Sequence, residues 1–284
     1  MKILKKDSNI PQKASLILGY FDGIHAGHRD VIRNCPRGTK VLVTFSSSPA
    51  EYFGKNISYI YKRMFNYNLI EELGVDYIYE QDFSKIADMT AEEYLNLLIK
   101  KFNPSSVTTG FNHTFGANKQ GNPEFLEKNK TSFEYFCTPP TKLENEIVSS
   151  TRIKELLALG EIEKANRFLV NNFTLESKVI KGAKLGRKLG FPTANLKYPE
   201  KIVKIPYGVY KIRVLSMPAV MNWGIKPTIG SKEVMEVHIP NYEGNLYGKK
   251  IEIEVISKIR DEKKFDSLED LKKQIEKDVK ECLK

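Results

Sequence analysis

Helical spacings and apolar runs alternate through the first half of this chain and stop alternating in the second, and that change limits the fold more than any single residue does. Residues 14–18 and Lys40–Phe45 read as buried strands, residues 63–73 have helical spacing up to Gly74, and residues 75–79 form a short apolar strand. Residues 90–101 open with Thr90 and Glu93 in the spacing of a capping box, and residues 106–109 and 132–137 are further strands. Alternation over ~130 residues predicts a doubly wound parallel sheet covered by helices, an α/β domain whose ligands lie beyond the strand carboxyl ends. Helical spacing then runs from 149 to 170, broken at Gly160. Beyond Asn172, Thr174–Ile180, Gly208–Val214 and residues 220–223, 233–239 and 250–256 are short strand-like stretches split by Gly and Pro, the pattern of an antiparallel barrel or sandwich. A terminal helix from 267 to about 282 carries Leu268, Leu271, Ile275 and Val279 on one stripe. Two domains are expected, 1–170 and 171–284, each long enough to bury its own core.

Hydrophobic residues make up 41% and charged residues 28% of the chain, which excludes a disordered or fibrous protein. No apolar run approaches the ~20 residues of a spanning helix, and the first residues lack a signal peptide's apolar core, so no membrane partner and a cytoplasmic location are expected. Cys35, Cys137 and Cys282 form no CxxC pair, which argues against a disulfide framework or a zinc site. The formal net charge of +10 calls for an anionic partner. Between Lys181 and Lys204 stand seven basic residues and one acidic residue, interleaved with glycines. Such a loop suits a polyphosphate better than a DNA groove, so nucleic acid is not the expected partner. The oligomeric state is not legible.

Two stretches carry chemistry. Residues 19–28 hold Gly19, Gly23 and Gly27, the carboxylate of Asp22, and two of the four histidines, His25 and His28. They fall where a strand turns into a helix, where glycines admit a close ligand and free N–H groups at the helix start seat an anion. Three residues apart, His25 and His28 share a face if both are helical, and two cationic or hydrogen-bonding imidazoles over a phosphate suggest phosphoryl or nucleotidyl transfer. The second stretch, residues 182–195, spaces Gly182, Gly186 and Gly190 four apart among Lys184, Arg187 and Lys188 and ends in Pro192, Thr193, Ala194 and Asn195. Its basic loop could fold over phosphates while Thr193 and Asn195 offer neutral oxygens to Mg2+. On the residues alone, an ordinary basic loop leading into a strand is an equal alternative.

Residues 21–28 resemble the HxGH signature of the nucleotidylyltransferase superfamily, in the form found in bacterial FAD synthetases. Gly186-Arg187 and residues 189–195 resemble the riboflavin kinase signature, with further matches in order at 207–210, 222–228, 236–239, 246–248 and 260–265. Together the halves resemble the bacterial bifunctional riboflavin kinase/FAD synthetase family over nearly the whole chain. That resemblance implies a nucleotidylyltransferase domain followed by a riboflavin kinase β-barrel with a terminal helix, riboflavin, FMN and ATP as substrates, Mg2+ as cofactor, and FMN and FAD as products. It implies that His25 and His28 stabilise charge during adenylyl transfer, and that Gly19, Phe21, Asp22, Gly23, Asn112, Ser150, Thr151 and Arg152 bind the first ATP. In the kinase half it implies Glu236 as general base. Gly182, Lys184, Gly186, Arg187, Gly190, Pro192, Thr193 and Asn195 would bind the second ATP, Thr193 and Asn195 also the metal, and Arg260, Glu262 and Phe265 the flavin. The chain departs from the family where Ser46-Ser47-Ser48 stand before Pro49 in place of an acidic or polar residue, Pro and His, and where His113 replaces an aromatic after Asn112. Trp223 replaces a smaller residue. Two alternatives remain open at this stage: a riboflavin kinase with a weak or altered nucleotidyltransferase domain, and a non-catalytic flavin- or RNA-binding regulator.

Overall fold

The computed structural model describes residues 1–4, 11–182, 186, 190–226 and 232–284. Its contacts divide into two compact units, 1–58 with 63–150, and 59–62 with 151–284.

In the first unit a six-stranded, wholly parallel sheet has the order β1 (Lys2–Leu4), β4 (Tyr77–Gln81), β3 (Lys40–Phe45), β2 (Ser15–Leu18), β5 (Ser106–Gly110), β6 (Glu134–Thr138). From β2 the chain winds outward one way through β3 and β4, then crosses back to β5 and β6 on the other side. The crevice between the carboxyl ends of β2 and β5 is therefore the topological switch point, where open sheets of this kind bind ligands. Every residue of β2 is buried, as a central strand covered on both faces demands. Helix α1 (Ala26–Asn34) packs beside β5 and β6, and α4 (Ala91–Phe102) buries Tyr94, Leu95 and Leu98 over the sheet. The expected capping box is present: Glu93 N–H donates to Thr90 Oγ1 at 3.2 Å and Thr90 N–H to Glu93 Oε2 at 2.8 Å. Short α2 (Pro49–Tyr52), then α3 (Arg63–Glu72), α5 (Pro123–Lys128) and a hairpin of β7 (Lys142–Leu143) and β8 (Glu146–Ile147) complete the unit.

The second unit is a closed antiparallel barrel, resolving the choice between barrel and sandwich. Its strands, in order round the barrel, are β10 (Ala194–Leu196), β13 (Lys232–His238), β12 (Met217–Lys226), β11 (Gly208–Val214), β14 (Lys250–Arg260) and β9 (Thr174–Ile180). Leu196, Met235 and Trp223 sit opposite one another on β10, β13 and β12 and are all buried, so their shared face is the barrel's core. The Trp223 indole N–H donates to Ile205 O at 3.1 Å, and Tyr198 and Tyr207 pack against its ring. Tyr59–Lys62, taken from early in the chain, belongs to this unit: Tyr59 N–H donates to Lys201 O at 2.7 Å, and fully buried Tyr61 donates to Asn171 O at 2.6 Å.

The division of contacts falls at 150/151, where the sequence pattern places it at 170/171. Helices α6 (Ser150–Leu159) and α7 (Ile162–Phe168) lie between, and α7 packs on β14, where Asn166 Nδ2 donates to Val255 O at 2.9 Å. The terminal helix α8 (Leu268–Leu283) keeps Leu271, Ile275 and Val279 of the expected stripe half-buried, with Val279 packed against the Cys282 cluster. Leu268 is 63% exposed, whereas Asp278 and Cys282 are buried. The buried Asp278 carboxylate is paired by Arg260, with Nη2 2.8 Å and Nε 3.1 Å from its oxygens.

Candidate functional site

Each unit carries one candidate site among the described residues. In the first, the turn after β2 is held by Gly23, whose φ of +67° lies in the left-handed region that favours glycine and whose N–H donates to Asn66 Oδ1 at 3.1 Å. His25 is the N-cap of α1, outside the helix, and its Nδ1 accepts the His28 backbone N–H at 3.2 Å. The two imidazoles stack with centroids 3.6 Å apart and 16° between planes, and the Phe21 ring lies 4.6 Å from His28. The histidines thus meet as their spacing predicts, but through a cap and not a shared helical face.

Burial foremost, then the neighbouring His28, holds the His25 imidazole well below its ordinary range, and burial brings His28 down to about 4. Both rings are therefore neutral near pH 7, so of the two forms considered from the sequence it is the hydrogen-bonding one, not the cationic one, that they take. Their hydrogen bonds fix the tautomers. His25 Nδ1 accepts, leaving Nε2–H as a donor; His28 Nδ1 lies 3.3 Å from the Gly23 carbonyl, which only accepts, leaving Nε2 bare. Beside them are the free N–H groups at the start of α1, so an anion arriving here meets one imidazole donor, a helix terminus and one proton acceptor.

Asp22 is buried, and Ser150 Oγ donates to its carbonyl at 2.7 Å. Thr151 and Arg152, expected at the same site, group with the second unit, where Arg152 pairs with Glu155 at 3.4 Å. Asn112 is exposed on the loop after β5. The ring of His113 stacks on Phe115 at 5.7 Å, and its buried Nε2 has no hydrogen-bond partner. Ser48, in place of the family's histidine, caps α2 by accepting Ala50 N–H at 3.2 Å. That helix leads to a feature the sequence reading missed. Tyr52 and Phe53 are 47% and 67% exposed and meet Phe83 at 5.4 and 5.9 Å, with Phe45 behind at 5.3 Å. The four rings gather at the carboxyl ends of β3 and β4, on the same sheet edge as His25 and His28. Their distance apart in sequence hides them, although the adjacent Tyr52-Phe53 after a Pro-led turn is a visible signal.

In the second unit Glu236 stands directly opposite Asn195 on β10 and Asn222 on β12, so the three side chains leave the same face of the barrel wall. Asn222 is the other residue the sequence reading did not single out; an exposed amide in mid-strand is the signal, because strands are poor in Asn. Thr193 precedes β10 and lines a cleft of about 310 Å³ together with Val179, Pro192, Val237, Ile239 and Tyr247. Two of the expected glycines matter by their size. A Cβ on Gly182 would stand 2.3 Å from Asn195 Cγ, and one on Gly186 would stand 2.4 Å from Phe191 O and 3.2 Å from Thr193 Oγ1. Gly190 has φ +89°. Lys184 and Arg187 lie outside the described residues.

Arg260 is engaged by Asp278, and its guanidinium lies over the Phe265 ring at 5.8 Å from the centroid, so it braces that ring. Glu262 Oε1 accepts Ile225 N–H at 3.2 Å, beside Gly224, whose lack of a Cβ admits the carboxylate. Among the described residues no group of three or more His, Cys, Asp or Glu could hold a metal by itself. Neutral Thr193 and Asn195, with Glu236 opposite Asn195, are instead a donor set that suits a hard cation already carrying a nucleotide's phosphates.

Comparison with known proteins follows the same division. The FAD synthetase family matches residues 7–152, and the riboflavin kinase family, Flavokinase, matches 169–284. The chain is 34% identical to the bifunctional riboflavin kinase/FMN adenylyltransferase of Haemophilus influenzae, over 97% of this chain and 95% of that protein. It is 30% identical to the protein of the same name from Bacillus subtilis, over 96% and 92%. A crystal structure of a protein named macrolide-efflux protein, from Streptococcus pneumoniae, superposes with a TM-score of 0.90 at 30% identity, covering 98% of this chain and 97% of that one. Among the described residues, no helix is long and apolar enough to cross a membrane. With both families matched in order and 97% of the chain covered by a relative 34% identical to it, the chain belongs to the bifunctional riboflavin kinase/FMN adenylyltransferase family.

Proposed function

We propose that the barrel unit phosphorylates riboflavin to FMN at Thr193, Asn195 and Glu236, and that the parallel-sheet unit adenylylates FMN to FAD at His25 and His28, both in the cytoplasm and with ATP as co-substrate. The observation that carries the kinase assignment is the register that sets Glu236 opposite Asn195, beside the cleft lined by Thr193. ATP lies in that cleft, its base against Val179, Val237 and Ile239. Glu236 accepts the proton of the ribityl hydroxyl as its oxygen attacks the γ-phosphate, and ADP leaves. Thr193 and Asn195 would hold Mg2+ with the nucleotide's phosphates, and the ion would neutralise charge on the phosphoryl group in transfer. Phe265, braced by Arg260, covers the flavin edge.

In the other unit the FMN phosphate attacks the α-phosphate of ATP and pyrophosphate leaves. His25 Nε2–H and the first N–H groups of α1 donate to the phosphate oxygens, where charge develops. His28 Nε2 takes up a proton as the anion binds, since an adjacent negative charge raises its pKa. The aromatic cluster of Tyr52, Phe53 and Phe83 offers the planar isoalloxazine a stacking surface.

Two assays with the full chain test the assignment: riboflavin with ATP and Mg2+, and FMN with ATP and Mg2+, followed by separation of the flavins. Glu236→Gln abolishes FMN formation and leaves FAD formation from supplied FMN intact; His28→Ala does the reverse. Either variant retaining both reactions would overturn the division of labour.

A further inference from the structure

We infer that His238 is a positioning residue for the kinase nucleotide, acting as a clasp that fixes the Pro192–Thr193 wall of the cleft. The inference rests on the reading of that cleft as the nucleotide seat. Strand β13 places Glu236 and His238 two residues apart, on one face of the wall. The ladder between β13 and β10 runs Met235–Leu196, Glu236–Asn195, Val237–Ala194 and ends there. Pro192 and Thr193, the next residues outward, have no ladder pairing to hold them, yet they line the cleft together with Val237 and Ile239.

The side chain of His238 takes over where the backbone ladder stops. Its Nδ1 lies 2.9 Å from the carbonyl oxygen of Pro192. A carbonyl only accepts, so Nδ1 carries the proton and donates. The Phe191 ring meets the imidazole edge-on, with centroids 5.5 Å apart and 87° between planes, and closes it from the other side. Phe191 N–H in turn donates to Gly186 O at 2.8 Å, and Gly186 is the residue whose missing Cβ leaves room for Thr193. His238 therefore ties the strand that carries the general base to the segment that carries Thr193. Its effect belongs to nucleotide binding, because the carbonyl it holds belongs to the cleft wall, whereas Glu236 acts on the flavin hydroxyl.

The test is steady-state riboflavin phosphorylation by the full chain, titrating ATP and riboflavin separately for His238→Ala, His238→Asn and His238→Gln, with Glu236→Gln as the parallel variant. Asn carries its donor nitrogen on Cγ, as imidazole carries Nδ1; Gln carries it one carbon further out. His238→Ala and His238→Gln are expected to raise KM for ATP about tenfold while KM for riboflavin stays within about twofold, and His238→Asn to restore most of the ATP affinity. Melting followed by the fluorescence of Trp223, buried in the same barrel, identifies any variant that fails to fold; the Asn and Gln variants then decide the question between them. The inference is overturned if KM for ATP is unchanged in all three variants. It is equally overturned if Asn behaves as Gln does, or if both substrates lose affinity alike. FMN formation surviving in Glu236→Gln would instead sink the reading of the site and leave the clasp a structural feature of the barrel.

Discussion

Replacing His113 by Phe should make the first unit markedly less sensitive to acid. The imidazole is packed on Phe115, its Nε2 is buried without a partner, and burial holds its pKa at about 4 against 6.5 in an unfolded chain. Between those values the unfolded state binds the extra proton and the folded state does not, so stability is full above pH 6.5 and falls as pH drops towards 4. For one such group the loss at pH 5 relative to pH 8 is roughly 2 kcal/mol, saturating at roughly 3 kcal/mol below pH 4. Phe fills the same apolar layer, carries no proton and leaves no buried nitrogen unpaired, which adds about 1 kcal/mol at any pH. For a unit of this size 1 kcal/mol moves the melting temperature by about 2–4 °C, so the drop from pH 8 to pH 5 should be smaller by about 6 °C in His113→Phe. His28, brought to about 4 by burial, and His25, lowered in the same direction, remain in the variant and keep a residual slope of the same sign. Scanning calorimetry of the full chain measures this, with Trp223 fluorescence identifying which transition belongs to the barrel. Equal drops in the two proteins would refute the account of His113 as a neutral, buried ring.

Three further substitutions test the sites. Gly182→Ala should cut FMN formation by at least tenfold with FAD formation from FMN unchanged, because the new Cβ would stand 2.3 Å from Asn195 Cγ and push that amide off its position. Asp278→Ala should destabilise the barrel by about 3 kcal/mol, read as a fall in the Trp223 melting transition, since it strands the Arg260 guanidinium and frees α8. Phe53→Ala should raise KM for FMN in FAD formation several-fold while leaving riboflavin phosphorylation alone, as expected of a 67% exposed ring that stacks a ligand and does little for the core.

What the sequence reveals depends on how far a feature's partners lie along the chain. The turn from Gly19 to His28 is local, so ten residues display a strand end, a cap and two histidines, and the structure alters only the detail that His25 caps α1 instead of joining it. Strands and helices are legible for the same reason, because periodicity is a property of neighbours; Lys40–Phe45, Thr174–Ile180 and Gly208–Val214 keep their expected bounds. Alternation also gives the parallel sheet, since strands joined through helices must run the same way.

Charge and aromatic pairing across the fold obey no local period. Asp278 looks like a solvated helix residue until Arg260, eighteen residues earlier, comes round at the end of β14 and pairs it, so a carboxylate joins the buried side of the stripe while Leu268 in the first turn stays exposed. Phe45, Tyr52, Phe53 and Phe83 become neighbours only because parallel crossovers bring β3 and β4 to a common carboxyl edge. The same logic separates the two candidate sites. Thr193, Asn195 and Glu236 were visible as motif residues, but their alignment depends on the ladder between β10 and β13, a pairing of segments some forty residues apart. That ladder ends one residue short of Thr193, so the Pro192–Thr193 segment is held by side chains instead of by backbone pairing. In the proposed clasp, His238 supplies such a tie beyond the end of the three-residue β10, its Nδ1 lying 2.9 Å from the Pro192 carbonyl oxygen.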